Sequence, residues 1–287
     1  MSKLAMNDHQ FNRAALAALL AALAAPGMLT GQRCQTGVSL PRVAAIAGGF
    51  TALQTTVILI RQDDWWVTPR TGFHFGSGGS PSRSQDKLLH AAIAYQASQV
   101  AILAWDWACV PPTLAAWLGA AVGIAVGLPK EIGDGLHEGK GFATDDFGAS
   151  VGAAILPALH RTWAPSRVIQ LKGNYWPSAE FRDRTGGLPQ LENDYAGQRY
   201  FLAIDPGLLP SGAGAWPDWL GLAVGHSVPT WLSAPPEDEW YVTLDLNARG
   251  LPVNTPWWQK VAALIDQLHL PLPGLRLTSG EVRFGLY

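Results

Sequence analysis

Residues Thr113–Asp134 read TLAAWLGAAVGIAVGLPKEIGD. An apolar run ends at Leu128, and Pro129 is followed at once by Lys130, Glu131 and Asp134. Gly119, Gly123 and Gly127 recur every fourth residue, which draws a flat stripe along one face of a helix and lets a second backbone come close. Ionisable groups at the edge of a lipid-facing segment are costly and mark positions with a task.

Working outward, four further apolar runs flank this one. Leu88–Val110 precedes it and opens on Gln85-Asp86-Lys87, with His90 one turn later. Phe147–Leu159 follows it and opens on Asp145-Asp146, with Gly148 and Gly152 repeating the small-residue spacing. Val43–Ile60 lies upstream and ends in Arg61 and Asp63-Asp64-Trp65-Trp66. Residues 1–30 contain the Ala/Leu-rich stretch Phe11–Leu29 behind Lys3 and Arg13, which reads as a signal peptide cut near Ala24-Ala25 or as a retained anchor helix. Residues 43–160 therefore read as a membrane-type bundle, four or five helices in all with the N-terminal one. The later runs fall just short of the roughly 20 residues of a comfortable span, so either their cores tilt or their polar ends extend them. A soluble Ala-rich bundle is the competing reading.

Composition agrees with a membrane part joined to a further part. The 287 residues are 48% hydrophobic and 15% charged, with a formal net charge of -2, against a usual charged share of about 25%. Without a basic field, nucleic acid is not an expected partner. Several of the 13 tryptophans stand at the ends of apolar runs, as interfacial girdles do. Two cysteines, Cys34 and Cys109, are too few for a disulfide framework or a multi-cysteine zinc site, and they leave the compartment open. Alternation of spans puts the 61–86 and 129–145 loops on one side, where Arg61, Arg70, Arg83, Lys87, Lys130 and Lys140 favour the cytoplasm. By parity the chain after the last span lies outside.

Residues 165–287 change character. Trp240, Val242, Leu244 and Leu246 alternate with Tyr241, Thr243, Asp245 and Asn247, the period of a half-buried strand. Tyr200–Ile204 and Leu220–Val224 read the same way, and Thr278-Ser279-Gly280 joins two short strands as a hairpin. Pro256–His269 has the period of an amphipathic helix with Trp258, Val261, Ile265 and Leu268 on one face. The expected fold class is α+β: a helical bundle, then a small antiparallel sheet of about five strands with one covering helix. A transmembrane barrel needs about eight strands, so it is the lesser alternative, kept open by the terminal Tyr287.

If the helices that start at Asp86, end at Asp134 and start at Asp146 are neighbours, their polar groups converge. Asp86 and His90 share a face, as do Lys130 and Asp134. The candidate site residues are Asp86, Lys87, His90, Lys130, Glu131, Asp134 and Asp146. Three chemistries fit them. Asp86, His90, Glu131, Asp134 and Asp146 offer donors to a divalent metal, the one cofactor considered. A carboxylate–His pair can act as general base with Lys87 or Lys130 as electrophile. Or the set is a structural clasp of helix caps and ion pairs.

The motifs Gln85-Asp86-Lys87-Leu88-Leu89-His90, Pro129-Lys130-Glu131-Ile132-Gly133-Asp134 and Gly141-Phe142-Ala143-Thr144-Asp145-Asp146 with Gly152 resemble the YfiM-like family of predicted periplasmic lipoproteins. The match spans roughly 85–155, and Phe73-His74-Phe75, Tyr195, Gly197-Gln198, Tyr200 and the C-terminal strands are similar to longer members. Ser150 stands where that family has Asn. The first and last motifs are more weakly similar to VanZ-like membrane proteins. The resemblance implies an envelope protein and supplies no reaction.

Two functional expectations follow. The first is a non-enzymatic scaffold or accessory subunit of the bacterial cell envelope, embedded in lipid, with membrane-protein partners and a periplasmic C-terminal domain. The second is a membrane enzyme or metal-dependent site. An outer-membrane location is the lesser alternative. Gly148–Gly152 matches G-x-S-x-G, but Ser150 falls inside a helix, so it is read as packing.

Overall fold

The computed structural model describes residues 34, 37–76, 84–179, 194–209, 214, 216–229 and 237–287. The segment read as signal peptide or anchor lies outside them. Four long helices lead: α1 (Leu40–Trp65), α2 (Gln85–Trp107), α3 (Pro112–Asp134) and α4 (Thr144–Thr162). The helices α1, α3 and α4 are longer than their apolar runs, because polar residues at the ends continue the hydrogen-bonded turns, whereas α2 starts three residues before its run and ends three before it does. In α3 the helix runs through Pro129 to Asp134, so Lys130 and Glu131 sit on the helix instead of the loop expected from 129 onward. The helices α1, α2 and α3 are each long and apolar enough to cross a membrane. In α1 no residue is buried, and Leu53 and Leu59 are exposed. Val43 and Ile46 pack partly against the bundle, and an apolar helix that leaves the rest of its surface exposed is costly in water and at home in lipid.

The helices alternate in direction. At one end Arg161 of α4 grips Asp106 of α2 with two bonds of 2.6 and 2.8 Å, and Arg42 of α1 donates to the Trp107 carbonyl at 2.7 Å. At this same end Cys34 and Cys109 form a disulfide across a separation of 75 residues. Two cysteines exclude a framework of several bridges, yet they suffice for one clamp that ties the chain ahead of α1 to the turn between α2 and α3. At mid-height the Gln54 amide of α1 donates to the Ala125 and Val126 carbonyls of α3, both at 3.0 Å.

Small residues set the packing. A Cβ on Gly119 would stand 2.9 Å from the Ser98 carbonyl oxygen, and one on Gly123 would stand 2.5 Å from the Ala94 carbonyl oxygen. The stripe on α3 therefore faces α2, with Ala154 of α4 closing the third side. The helices α3 and α4 are neighbours, with Ala116 and Ala120 of α3 packed on Ala158 of α4, but Gly148 and Gly152 do not make that contact, since Cβ atoms there would meet open space. A Gly123→Ala substitution has to displace backbone, and its expected cost is about 1–3 kcal/mol; Gly148→Ala should be neutral or better. Thermal unfolding in detergent compares the two.

Two short strands, β1 (Phe75–Gly76) and β2 (Phe142–Ala143), pair in parallel and join the loops at the other end of the bundle. Gly141 makes this contact, with φ +131° and the site of a Cβ only 2.4 Å from the Gly76 backbone.

The C-terminal half is a six-stranded antiparallel meander: β3 (Ile169–Tyr175), β4 (Gln198–Ile204), β5 (Leu220–Ser227), β6 (Glu239–Leu246), β7 (Pro273–Leu277) and β8 (Val282–Leu286). The α+β class holds, with β3 as the strand not counted beforehand, although Ile169, Leu171, Gly173 and Tyr175 do alternate with Gln170, Lys172 and Asn174. The covering helix α5 (Pro256–Ile265) stops earlier than its apolar pattern. Its buried side carries Ala262 and Ala263, followed by Asp266 and His269, while Leu268 is half exposed. The expected face of Trp258, Val261, Ile265 and Leu268 is thus not the buried one.

The sheet lies beside the bundle. Its edge strand β3 starts one short turn after α4, and the Gln85 amide in the first turn of α2 donates to the Gln198 carbonyl at 3.1 Å, next to the far end of β3. Gln85 Oε1 also meets His226 Nδ1 at 3.0 Å.

Candidate functional site

Three helices each deliver one donor to a common point. His90 stands one turn into α2, Glu131 in the last turn of α3 and Asp146 in the first turn of α4. One ligand atom from each lies within 4.8 Å of the other two. His90 Nε2 is 3.6 Å from Glu131 Oε1. Glu131 Oε2 accepts the backbone N–H of Ala143 at 3.2 Å, so the β1–β2 pairing below the bundle orients this carboxylate. Gly127 faces the pocket: a Cβ there would stand 3.7 Å from His90 Nδ1 and 3.8 Å from Ser150 Oγ. Ser150 is buried within α4, where packing and not nucleophilic chemistry was expected of it.

The remaining candidates surround this trio. Lys87 bridges Asp145 at 2.9 Å and Asp146 at 3.2 Å. Lys130 bonds Asp134 at 2.8 Å and lies 3.8 Å from Glu131. Asp134 is held by Trp66 Nε1 at 2.9 Å and approached by Lys140 at 3.7 Å, so it anchors α1 to α3 and stands outside the converging set. Trp66, read as an interfacial residue, stacks on His137 and covers Gly133. Asp86 is not among the converging donors; its charge acts on Asp146.

Electrostatics separates the two adjacent aspartates. Burial, with Asp86 nearby, raises the Asp146 pKa above the ordinary value. The hydrogen bond from Lys87 lowers that of exposed Asp145. Of the three converging groups, Glu131 is approached by Lys130 at 3.8 Å and Asp146 by Lys87 at 3.2 Å. His90, Glu131 and Asp146 are the groups that could hold a divalent cation.

The donor set fits such an ion. An imidazole and two carboxylates suit zinc or manganese better than the all-oxygen shells of calcium and magnesium. Donors at about 2.0–2.2 Å from a tetrahedral ion are about 3.3–3.6 Å apart, so the three groups, whose donor atoms lie within 4.8 Å of one another, would close on it by side-chain rotation. Three protein ligands leave a position for water or substrate.

A second buried polar set was not foreseen. On the inner face of the sheet Asp245 receives Lys172 at 2.6 Å and His269 at 2.8 Å, all three side chains almost fully buried. His269 also stacks on Phe201. Lys172 and Asp245 belong to alternating strands, and their polar phase was the available signal.

No protein-family model, no curated protein and no solved structure matches this chain.

Proposed function

We propose that this chain is an integral membrane protein of the bacterial cell envelope whose bundle holds a divalent cation between His90, Glu131 and Asp146. The observation that carries the reading is the convergence of three donors from three separate helices. His90, Glu131 and Asp146 would hold the ion, which would supply Lewis acidity at a position left open by three protein ligands. All three ligands lie in the motifs that carry the resemblance to YfiM-like proteins, and His90 and Asp146 also lie in the two motifs similar to VanZ-like proteins.

Orientation has two independent supports. Disulfides persist on the oxidising side of a membrane, which favours the periplasm for the Cys34–Cys109 end. Arg61, Arg70, Lys130 and Lys140 at the other end favour the cytoplasm.

A scaffold role with a polar clasp is the second reading, favoured by the ion pairing of Lys87 and Lys130 within the set. Metal analysis of protein extracted in mild detergent and equilibrated with zinc or manganese separates the two. The metal reading expects one equivalent per chain, lost in His90→Ala and retained in Lys140→Ala. No bound metal in the wild type, together with stoichiometric co-purifying membrane proteins, is the outcome of the clasp.

A further inference from the structure

Strands paired in register project their side chains to the same face, so the ladder assigns each face of the sheet. One face carries Lys172, Phe201, Ala223, Tyr241, Thr243 and Asp245, all buried. The end of α5 and the residues after it cover this face. Asp266 accepts the backbone N–H of Ala248 at 2.6 Å, and His269 meets Asp245. The opposite face carries the cross-strand row Leu171, Leu202, Val224, Val242, Leu275 and Phe284. From Leu202 onward every member of that row is exposed, up to 76% at Phe284. Leu222 and Leu286 on one side of the row, and Trp240 and Val282 on the other, are exposed too. Within the six described strands this face bears no Asp, Glu, Lys or Arg. Its one titratable base, His226, is buried against Gln85.

The polarity is inverted relative to a sheet in water, where the apolar face packs inward. The outward apolar alternation is that of a membrane-barrel wall, while the inner face buries both the polar groups and the cluster of Phe201, Ala203, Ala223 and Tyr241. Strands β3 to β6 have seven or eight residues and β7 and β8 five, shorter than the roughly ten of a tilted barrel strand. Exposed tryptophans stand at both ends: Trp219 beside the start of β5, and Trp176 and Trp240 at the other end, where aromatic belts lie. Finally, β3 runs from the disulfide end of the bundle to the Gln85 end, so the apolar face stands at the same height as the apolar helices α1 to α3.

We propose that the exposed apolar face of the β3–β8 sheet contacts lipid acyl chains, so that the C-terminal half is apposed by this face to the membrane beside the helices and is not an aqueous domain beyond them. The occupant is lipid because the face is continuous in height with the exposed apolar helix α1. The proposal rests on the membrane reading of the bundle, and its test keeps the two apart. With the native disulfide intact, a cysteine introduced by Val242→Cys, Phe284→Cys, Leu59→Cys or Ser279→Cys is the one free thiol for an environment-sensitive fluorophore. The labelled full chain is reconstituted in phosphatidylcholine/phosphatidylglycerol vesicles. Nitroxide carried on lipid acyl chains is expected to quench labels at 242, 284 and 59 several-fold more than at 279 in the β7–β8 hairpin, and iodide in the reverse order. Iodide quenching at 242 and 284 with lipid quenching at 59 overturns the sheet proposal and leaves the bundle in the membrane. Iodide quenching at 59 as well overturns the membrane reading itself. Protection of 242 and 284 from both quenchers, with spin–spin broadening when nitroxide labels replace the fluorophore, shows a second copy on the face and also overturns the proposal.

Discussion

An Asp245→Ala substitution is expected to cost the protein about 3–5 kcal/mol, because it leaves a buried ammonium without its counter-charge. Lys172 and Asp245 are almost fully buried and 2.6 Å apart. The Leu246 carbonyl, which accepts from Lys172 at 2.7 Å, satisfies one donor but supplies no charge. His269 loses its 2.8 Å partner in the same step. Denaturant unfolding in detergent, followed by protease resistance of the C-terminal half, measures the loss. A Lys172→Met, Asp245→Leu double variant should recover most of it, since a well-packed apolar pair is often neutral or better than a buried ion pair. A single variant within about 0.5 kcal/mol of the wild type, the range of unremarkable surface changes, would mean that water reaches this site.

The second large effect concerns the cation. Removing a direct ligand by Glu131→Gln or Asp146→Asn should weaken zinc or manganese binding at least as much as loss of an outer-shell partner, which costs about 10–100-fold. Titration calorimetry in detergent reads the change. The pH dependence has a defined sign. The ion binds ionised Asp146, whose pKa is raised by burial, so affinity is fully present above that raised value and falls as pH descends through it. Metal-free protein should show the opposite slope for this group. A carboxyl with a raised folded pKa binds more protons folded than unfolded, so stability rises as pH falls through the folded value toward the unfolded one. Asp145, with its lowered pKa, contributes in the usual direction and only below the ordinary aspartate range, and its exposure keeps that contribution small. The stabilisation that metal adds, read as the difference between melts of loaded and metal-free protein, should therefore shrink as pH falls through the raised Asp146 value, and a difference independent of pH would remove Asp146 from the metal site.

Much of the site was legible in the sequence because its parts are local. The four-residue spacing of Asp86 and His90, the Lys130–Asp134 turn and the acids that open α4 are visible without coordinates, and so is the small-residue stripe that lets the helices approach. Which members converge was not legible. Glu131 turns inward because Pro129 does not end the helix and Ala143 holds its carboxylate. Asp134 turns away because Trp66, 68 residues distant, takes it.

The amino-acid order by itself determined that the chain is an apolar helical bundle followed by alternating strands, since helix and strand periods are written within a few turns or residues. It also determined that polar groups gather at one end of the bundle, because they flank the same ends of neighbouring runs. Only the tertiary structure decided which side of each alternation is turned inward. Period two says that a strand has two unlike faces, and the habit of assuming water outside assigns the apolar one to the interior. Here Lys172, Asp245 and His269 satisfy one another inside, while Val242 and Phe284 look outward. That choice depends on partners more than twenty residues apart and on the solvent around them, and no local pattern carries either.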